Sequence, residues 1–314
     1  MKLENRTKEE LLELQRKKAA LNYGLYMRAR MLCSSRSSEL LFVVPLHFLN
    51  LFFSHECYLP MKQVISLELV MNDDRSILTV EKGLRNPKRY KLCVTSIYLQ
   101  LRLCTMEPRL KSRWLSSISS STLTRNFQAV KVVHFNMKKS VMHARYSSVF
   151  SYSALPAYLK IFFISEKAHT GDFETQKFSY KHNNIQSIQL FKSGLPFSSN
   201  SMTNDMNMVK DGFQHMYFYR EFQRFYGPSS YDITRDQFYD DLMCFCFNLS
   251  SNPLLEGDSA ISLHAADRTL SFVEGAVLDV NLSFSKPLED NTMVFFLGYF
   301  DAVQAFSCEG LSIV

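Results

Sequence analysis

A chain of 314 residues, 46% of them hydrophobic, holds enough apolar side chain for one large core or two medium ones, and its 10 Gly and 9 Pro exclude collagen-like and low-complexity classes. The net charge of +6 is segregated: residues 1–38 carry +5, residues 85–113 carry +7, and the remainder carries −6. No stacking aromatics or recognition motif accompany the basic residues, so they imply at most weak, non-specific contact with nucleic acid.

In chain order, Thr7 and Glu10 form a capping box, and Leu11, Leu14, Leu21 and Leu25 then recur near one helical face. They predict an amphipathic helix over about 8–31 inside a basic segment, 1–38. From Leu40 the period shortens to two. Ile65, Leu67, Leu69 and Met71 alternate with their neighbours, as do Leu99, Leu101 and Leu103, which predicts half-buried strands. The apolar run Leu40 to Phe53 includes Pro45, His47 and Asn50 and is too short to span a membrane, so it too reads as a strand.

Pro108 stops this pattern, and the Ser-rich run Ser116 to Ser121 reads as a linker. Strands are predicted at Val130–Val133, Tyr158–Ile164, Ile185–Phe191, Asp241–Asn248, Thr269–Val273, Val277–Phe284 and Met293–Phe300. Ser193-Gly194 supplies a tight turn after the third of these. Phe213, Tyr217, Phe218, Phe222 and Phe225 gather at helical spacings and predict one aromatic helix over 213–226, packed over the open end of a sandwich or set at a subunit contact. Asp232 and Asp236 read as a polar turn leading into a strand that carries Phe238 and Leu242.

The seven cysteines, at 33, 57, 93, 104, 244, 246 and 308, follow neither a disulfide-scaffold nor a zinc spacing. Reduced thiols and a charged N-terminus without a secretory signal imply an intracellular chain, in cytoplasm or nucleus, and make the sequons at Asn5, Asn248 and Asn281 uninformative. Cys244 and Cys246 share one strand face and read as small buried residues rather than a metal pair. His55-Glu56-Cys57 is the densest ligand cluster, but adjacent strand residues point to opposite faces. Asp232, Asp236, Asp240 and Asp241 lack the spacing of a calcium loop and read as surface acids. With no nucleophile elbow, phosphate loop, dinucleotide fingerprint or H-E-x-x-H, neither catalysis nor a cofactor or metal is expected.

The order of motifs carries a resemblance. Tyr231-Asp232-Ile233-Thr234-Arg235-Asp236-Gln237-Phe238, followed by Cys244-Phe245-Cys246-Phe247-Asn248-Leu249-Ser250, resembles the "D-I-S-R-x-x-F/Y … F-D-L-T" segment of double jelly-roll major capsid proteins of Polinton (Maverick) elements and related DNA viruses. Phe178-Ser179-Tyr180-Lys181-His182-Asn183-Asn184-Ile185 is similar to that family's "F-x-F-K-H-Y-N-I" at the start of a strand. Phe191-Lys192-Ser193-Gly194-Leu195-Pro196 is similar to its "V-D-G-x-x-V-P" hairpin, and Ala276-Val277-Leu278-Asp279-Val280-Asn281-Leu282-Ser283-Phe284 to its "G-N-L-R-L-E-L-K-F" strand. Upstream, Ser54-His55-Glu56-Cys57-Tyr58-Leu59-Pro60 and Tyr90-Lys91-Leu92-Cys93-Val94 resemble parts of its first jelly roll. The chain departs from the pattern at Asp241, Asn248 and Ser250-Ser251, where the family has Gly, Asp and Thr-Pro.

Composition and pattern thus predict an all-β chain of two β-sandwiches. The resemblance makes it a double jelly roll whose first unit, 39–106, is incomplete behind the 1–38 segment, with a linker at 107–124 and a second jelly roll at 125–314. It implies a structural, shell-forming role, self-association as a homotrimer with other capsid proteins as further partners, and a place in the virion once assembled. A β-sandwich module binding a glycan or a protein, domesticated from such an element, is the alternative reading, followed by a jelly-roll enzyme.

Overall fold

The computed structural model describes residues 105–120, 123–150, 155–172, 179–196, 210–227, 233–249, 277–307 and 310–313, with short pieces at 68, 70, 73, 93–98 and 175. The predicted N-terminal helix, all of the 40–71 strands but residues 68 and 70, the 99–103 strand, the 269–273 strand and the His55-Glu56-Cys57 cluster lie outside the described residues. Residues 93–98 are irregular.

The stretch read as a linker is helical, as α1 (Pro108–Ser120). Pro108 stands at the first helical position, where its missing N–H is not needed. Ser112 and Ser116 donate their hydroxyls to the carbonyls of Arg109 and Arg113 one turn back, so serines that favour loops elsewhere are satisfied within this helix.

Among the described residues nine strands and three further helices follow: β1 (Leu123–Met137), β2 (His143–Tyr146), β3 (Tyr158–Ser165), α2 (Glu166–Thr170), β4 (Ile185–Lys192), β5 (Leu195–Pro196), α3 (Phe213–Tyr226), α4 (Arg235–Asp241), β6 (Cys244–Asn248), β7 (Leu278–Phe284), β8 (Thr292–Ser307) and β9 (Gly310–Ile313). The strands form two antiparallel sheets, one in the order β1-β8-β3-β6 with β9 beside β8, the other in the order β2-β7-β4-β5. Each sheet interleaves early and late strands, so hairpins alone cannot build it. This order is compatible with a jelly roll.

The period-two pattern decides which side chains meet. Leu278, Val280, Leu282 and Phe284 of β7 are buried while the residues between them are half-buried. From the opposite sheet Phe163 of β3 meets Phe284 with ring centroids 5.8 Å apart, and Phe135 of β1 stacks on Tyr146 of β2 at 4.6 Å. This inner layer is the core. β3 is also covered on its outer side: its first six residues, Tyr158 to Phe163, are all buried.

The Ser193-Gly194 turn places both residues at positive φ, 49° and 83°, which is the two-residue hairpin geometry whose twist matches the strands it joins. Asn183 and Asn184, at φ 50° and 53°, make a tight turn just before β4, closed by the Ile185 N–H donating to the His182 carbonyl at 3.0 Å. Both fall within the motifs quoted above.

Two expectations change. Thr234 is not in a turn that leads to a strand; it caps α4, its Oγ1 accepting from the Gln237 N–H at 3.2 Å while the Thr234 N–H donates to Gln237 Oε1 at 3.0 Å. Phe238 is therefore helical and fully buried, Leu242 closes the helix, and the strand starts only at Cys244. The final strand is longer than Met293–Phe300 and pairs with β1 along fifteen positions, from Leu123↔Phe306 to Met137↔Thr292.

Gly298 lies in β8 where the backbone has no room for a side chain: a Cβ there would sit 2.7 Å from Phe150 Cζ and from Phe300 Cε2. Gly298→Val should cost about 1–3 kcal/mol by overpacking, read as a lower urea midpoint with an unchanged slope. A parent-like midpoint would contradict this packing.

Candidate functional site, a buried lysine beneath the aromatic helix

The side chains of β3 that point away from the core are Tyr158, Lys160 and Phe162. Antiparallel register sets Lys160 beside Cys246 of β6 and Leu297 of β8, and Phe162 beside Cys244 and Phe295. A lysine in the middle of Tyr-Leu-Lys-Ile-Phe-Phe-Ile-Ser is a charge inside an apolar run, and it is only 7% exposed.

Helix α3 is what buries it. Phe218, Phe222 and Phe225 repeat at helical spacing on the buried face, as the sequence predicts, and His215 joins them. Phe218 packs on the core-facing Phe245 and Phe247 at 4.9 and 6.0 Å, whereas Phe225 packs on the outward-facing Tyr299 and Tyr158 at 4.9 and 6.0 Å. The helix thus closes the open side of the sandwich along β6 and continues onto the outer face. Phe213, counted with this stripe in the sequence, is exposed.

Beneath it lies a cavity of about 240 Å³ lined by Lys160, Tyr180, Phe222, Tyr226, Ile233, Leu242 and Cys244. The Lys160 ammonium donates a short hydrogen bond to Tyr226 Oη. It faces the rings of Tyr226, Phe162 and Tyr180, with Nζ 4.8, 5.3 and 6.0 Å from their centroids. Burial works against its charge, but Cys244, Tyr226 and Cys246 around it outweigh that and hold its pKa above the ordinary lysine value. Burial pushes the Tyr226, Tyr180 and Tyr299 phenols up, so all three keep their protons at neutral pH.

The cysteine pair shares one buried face, as period two requires, with the sulfurs 3.9 Å apart. Burial raises the Cys246 thiol, and its hydrogen bond with Cys244 raises it further. Burial opposes ionisation of Cys244 as well, yet the Cys246 hydrogen bond and Lys160 together bring that thiol below its ordinary value.

The acids weighed as a site separate in space from this cavity. Asp232 lies outside the described residues. Asp236 and Asp240 are exposed on α4 and pair with Lys210 at 2.9 and 3.8 Å, while Arg235 reaches Asp211 at 3.7 Å. Asp241 accepts from the Ser179 hydroxyl at 3.0 Å. These groups clasp α4 to the start of α3. Beneath the clasp, His215 Nδ1 accepts from the Asp211 N–H at 2.9 Å, its Nε2 donates to the Arg235 carbonyl at 3.2 Å, and the Tyr219 hydroxyl donates to the Ile233 carbonyl at 2.7 Å. No group of three or more His, Cys, Asp or Glu with metal-holding geometry occurs among the described residues. No described helix is long and apolar enough to cross a membrane, which says nothing of membrane-spanning strands.

No protein-family model matches the chain, and no curated protein does. Solved structures do match. One is the 3.5 Å cryo-EM structure of the Sputnik virophage, with 11% identity and a TM-score of 0.31, covering 61% of this chain and 39% of that one. The structure of PBCV-1 VP54 fitted into a cryo-EM reconstruction of Sputnik has 8% identity, a TM-score of 0.35 and coverage of 67% and 54%. The quasi-atomic PBCV-1 virus capsid has the same TM-score and coverage at 5% identity. The chain therefore spans between two-fifths and about half of the length of these structures.

Lys160→Met replaces a buried ammonium with an apolar side chain of similar length, and its unfolding free energy should stay within about 1 kcal/mol of the parent or exceed it. Tyr226→Phe removes the ammonium's oxygen acceptor and should cost about 1–3 kcal/mol. Urea unfolding of both variants checks the pair; the reverse ranking would contradict this account of the site.

His182 gives a pH dependence. Its Nδ1 accepts from the Asn184 N–H at 3.0 Å and its ring lies 5.0 Å from Tyr239; burial first, then the His215 charge, lower its pKa from 6.5. The unfolded chain binds this proton more readily than the folded one, so the stability contribution is present above pH 6.5 and drains away as pH falls through the folded-state value. The urea midpoint should drop between pH 7.5 and 5.5, and His182→Asn, which keeps an acceptor at that position, should drop less.

Proposed function

We propose that this chain is a structural, capsid-like subunit, related to the double jelly-roll major capsid proteins of Polinton (Maverick) elements and DNA viruses, and that it acts by self-association without catalysis. The observation that carries the reading is the agreement between ordered motifs and strand wiring. The segment 178–185 leads into β4, 191–196 is the β4–β5 hairpin, 231–250 spans α4 and β6, and 276–284 leads into β7. Four short sequence matches thus fall in order on the elements whose sheets are wired as β1-β8-β3-β6 and β2-β7-β4-β5. One chance match is cheap; four collinear ones are not, and three of them fall on the strand start, the hairpin and the strand they imply, while 234–238 opens a capped helix in place of the expected turn.

In this reading residues 125–314 form the second jelly roll and 39–106 belong to the first, with the basic stretches 1–38 and 85–113 open to weak nucleic-acid contact. The subunit is a homotrimer that meets other capsid proteins, intracellular before assembly and in the virion afterwards. Exposed Val130 and Val132 on β1 and Phe213 on α3 are apolar side chains of the kind that subunit contacts cover.

Mass photometry of the purified chain across a concentration series tests this. Trimers or larger closed particles are the expected result. A monomer at all concentrations that binds a glycan or protein ligand saturably would replace the proposal with the β-sandwich module reading.

A further inference from the structure

We propose that the cavity beneath α3 is a binding site for a small organic anion, a carboxylate head on an apolar chain, with Lys160 as its anchor. Three observations converge. Lys160 is 7% exposed and lines the cavity, but among the described residues the acceptor of its ammonium is a single phenol oxygen, that of Tyr226, and no carboxylate pairs with it. An ammonium has three N–H donors, and a buried charge with donors to spare demands an anionic acceptor. The rest of the wall is apolar or weakly polar: Phe222, Ile233, Leu242, Tyr180 and the Cys244 thiol. The space is about 240 Å³, which suits a medium-chain or aryl acid and excludes nucleotides and oligosaccharides.

The parts divide the work. Lys160 gives the carboxylate its charge partner, Tyr180, whose phenol burial keeps protonated, adds an O–H donor on the same wall, and Phe222 of α3 with Ile233 and Leu242, which flank α4, encloses the apolar tail. The rings already facing the ammonium leave it weakly solvated, so a carboxylate meets a cation stripped of water. The internal rival for the charge is the Cys244 thiol, whose ionisation burial opposes but the Cys246 hydrogen bond and Lys160 favour. The two separate by experiment, because a thiolate already paired with Lys160 leaves no charge preference for a ligand.

Isothermal titration of the full chain with octanoate, and with 1-octanol as its uncharged counterpart of equal length, is the test. One octanoate should bind per chain at least tenfold more tightly than octanol, and Lys160→Met should abolish the difference while retaining octanol. Should Lys160→Met fail to fold, Tyr226→Phe serves in its place: it leaves the ammonium short of an acceptor, and octanoate should bind at least as tightly as to the parent. Equal affinity for acid and alcohol, or no saturable octanoate binding in the parent, overturns the proposal and leaves Cys244 as the counter-ion. Neither readout depends on the oligomeric state, so failure of this site and failure of the assembly reading are told apart.

Discussion

The ladder between β3 and β8 is the constraint on which the rest depends. β8 is the central strand of its sheet, paired with β1 on one side and β3 on the other, and β3 in turn carries β6. Placing Phe163 inward against Phe284 and Phe245 forces Lys160 outward, because side chains alternate strictly. The core and the lysine site are thus two sides of one register. A slip of one residue would drive the ammonium into the sandwich and the aromatic rings out of it.

That coupling explains why α3 is so rich in rings. The strand beneath it is buried on both sides, so the covering helix must supply the apolar surface that a second sheet would otherwise give. Phe222 and Phe225 do so, and Tyr226 adds a hydroxyl where the sheet presents an ammonium. The polar clasp of Lys210, Asp236, Asp240, Arg235 and Asp211 is solvent-facing and contributes little by itself. His215 and Tyr219 beneath it, whose hydrogen bonds are partly buried, do more to fix α4 against α3.

Much of this was legible in the sequence where a single period governs a segment. The α3 helix was, because its rings recur at three and four, and β7 was, because Leu, Val, Leu and Phe recur at two. Thr234 and Gln237 carried a capping-box signal, yet the acids beside them and the apolar residues beyond drew a turn-and-strand reading; local capping outweighed β-type composition over seven residues. In α1 the Ser-rich composition drew a linker reading, yet the Ser112 and Ser116 hydroxyls bond back to the helix rather than to a loop. Lys160 was visible as a charge within an apolar strand, but only pairing with β6 and coverage by α3 bring it together with Cys244 and Tyr226, and those contacts are not local.

The central position of β8 also bears on how the unit is made. A chain leaving the ribosome presents β1 and β3 more than a hundred residues before the strand that must lie between them. Until then each has a bare edge facing the gap, and their rings have nothing to close against. Closure of this sheet is therefore a late event in synthesis, and a nascent chain stalled before β8 is a sticky half-sandwich that a neighbouring polypeptide's strand could complete in its place.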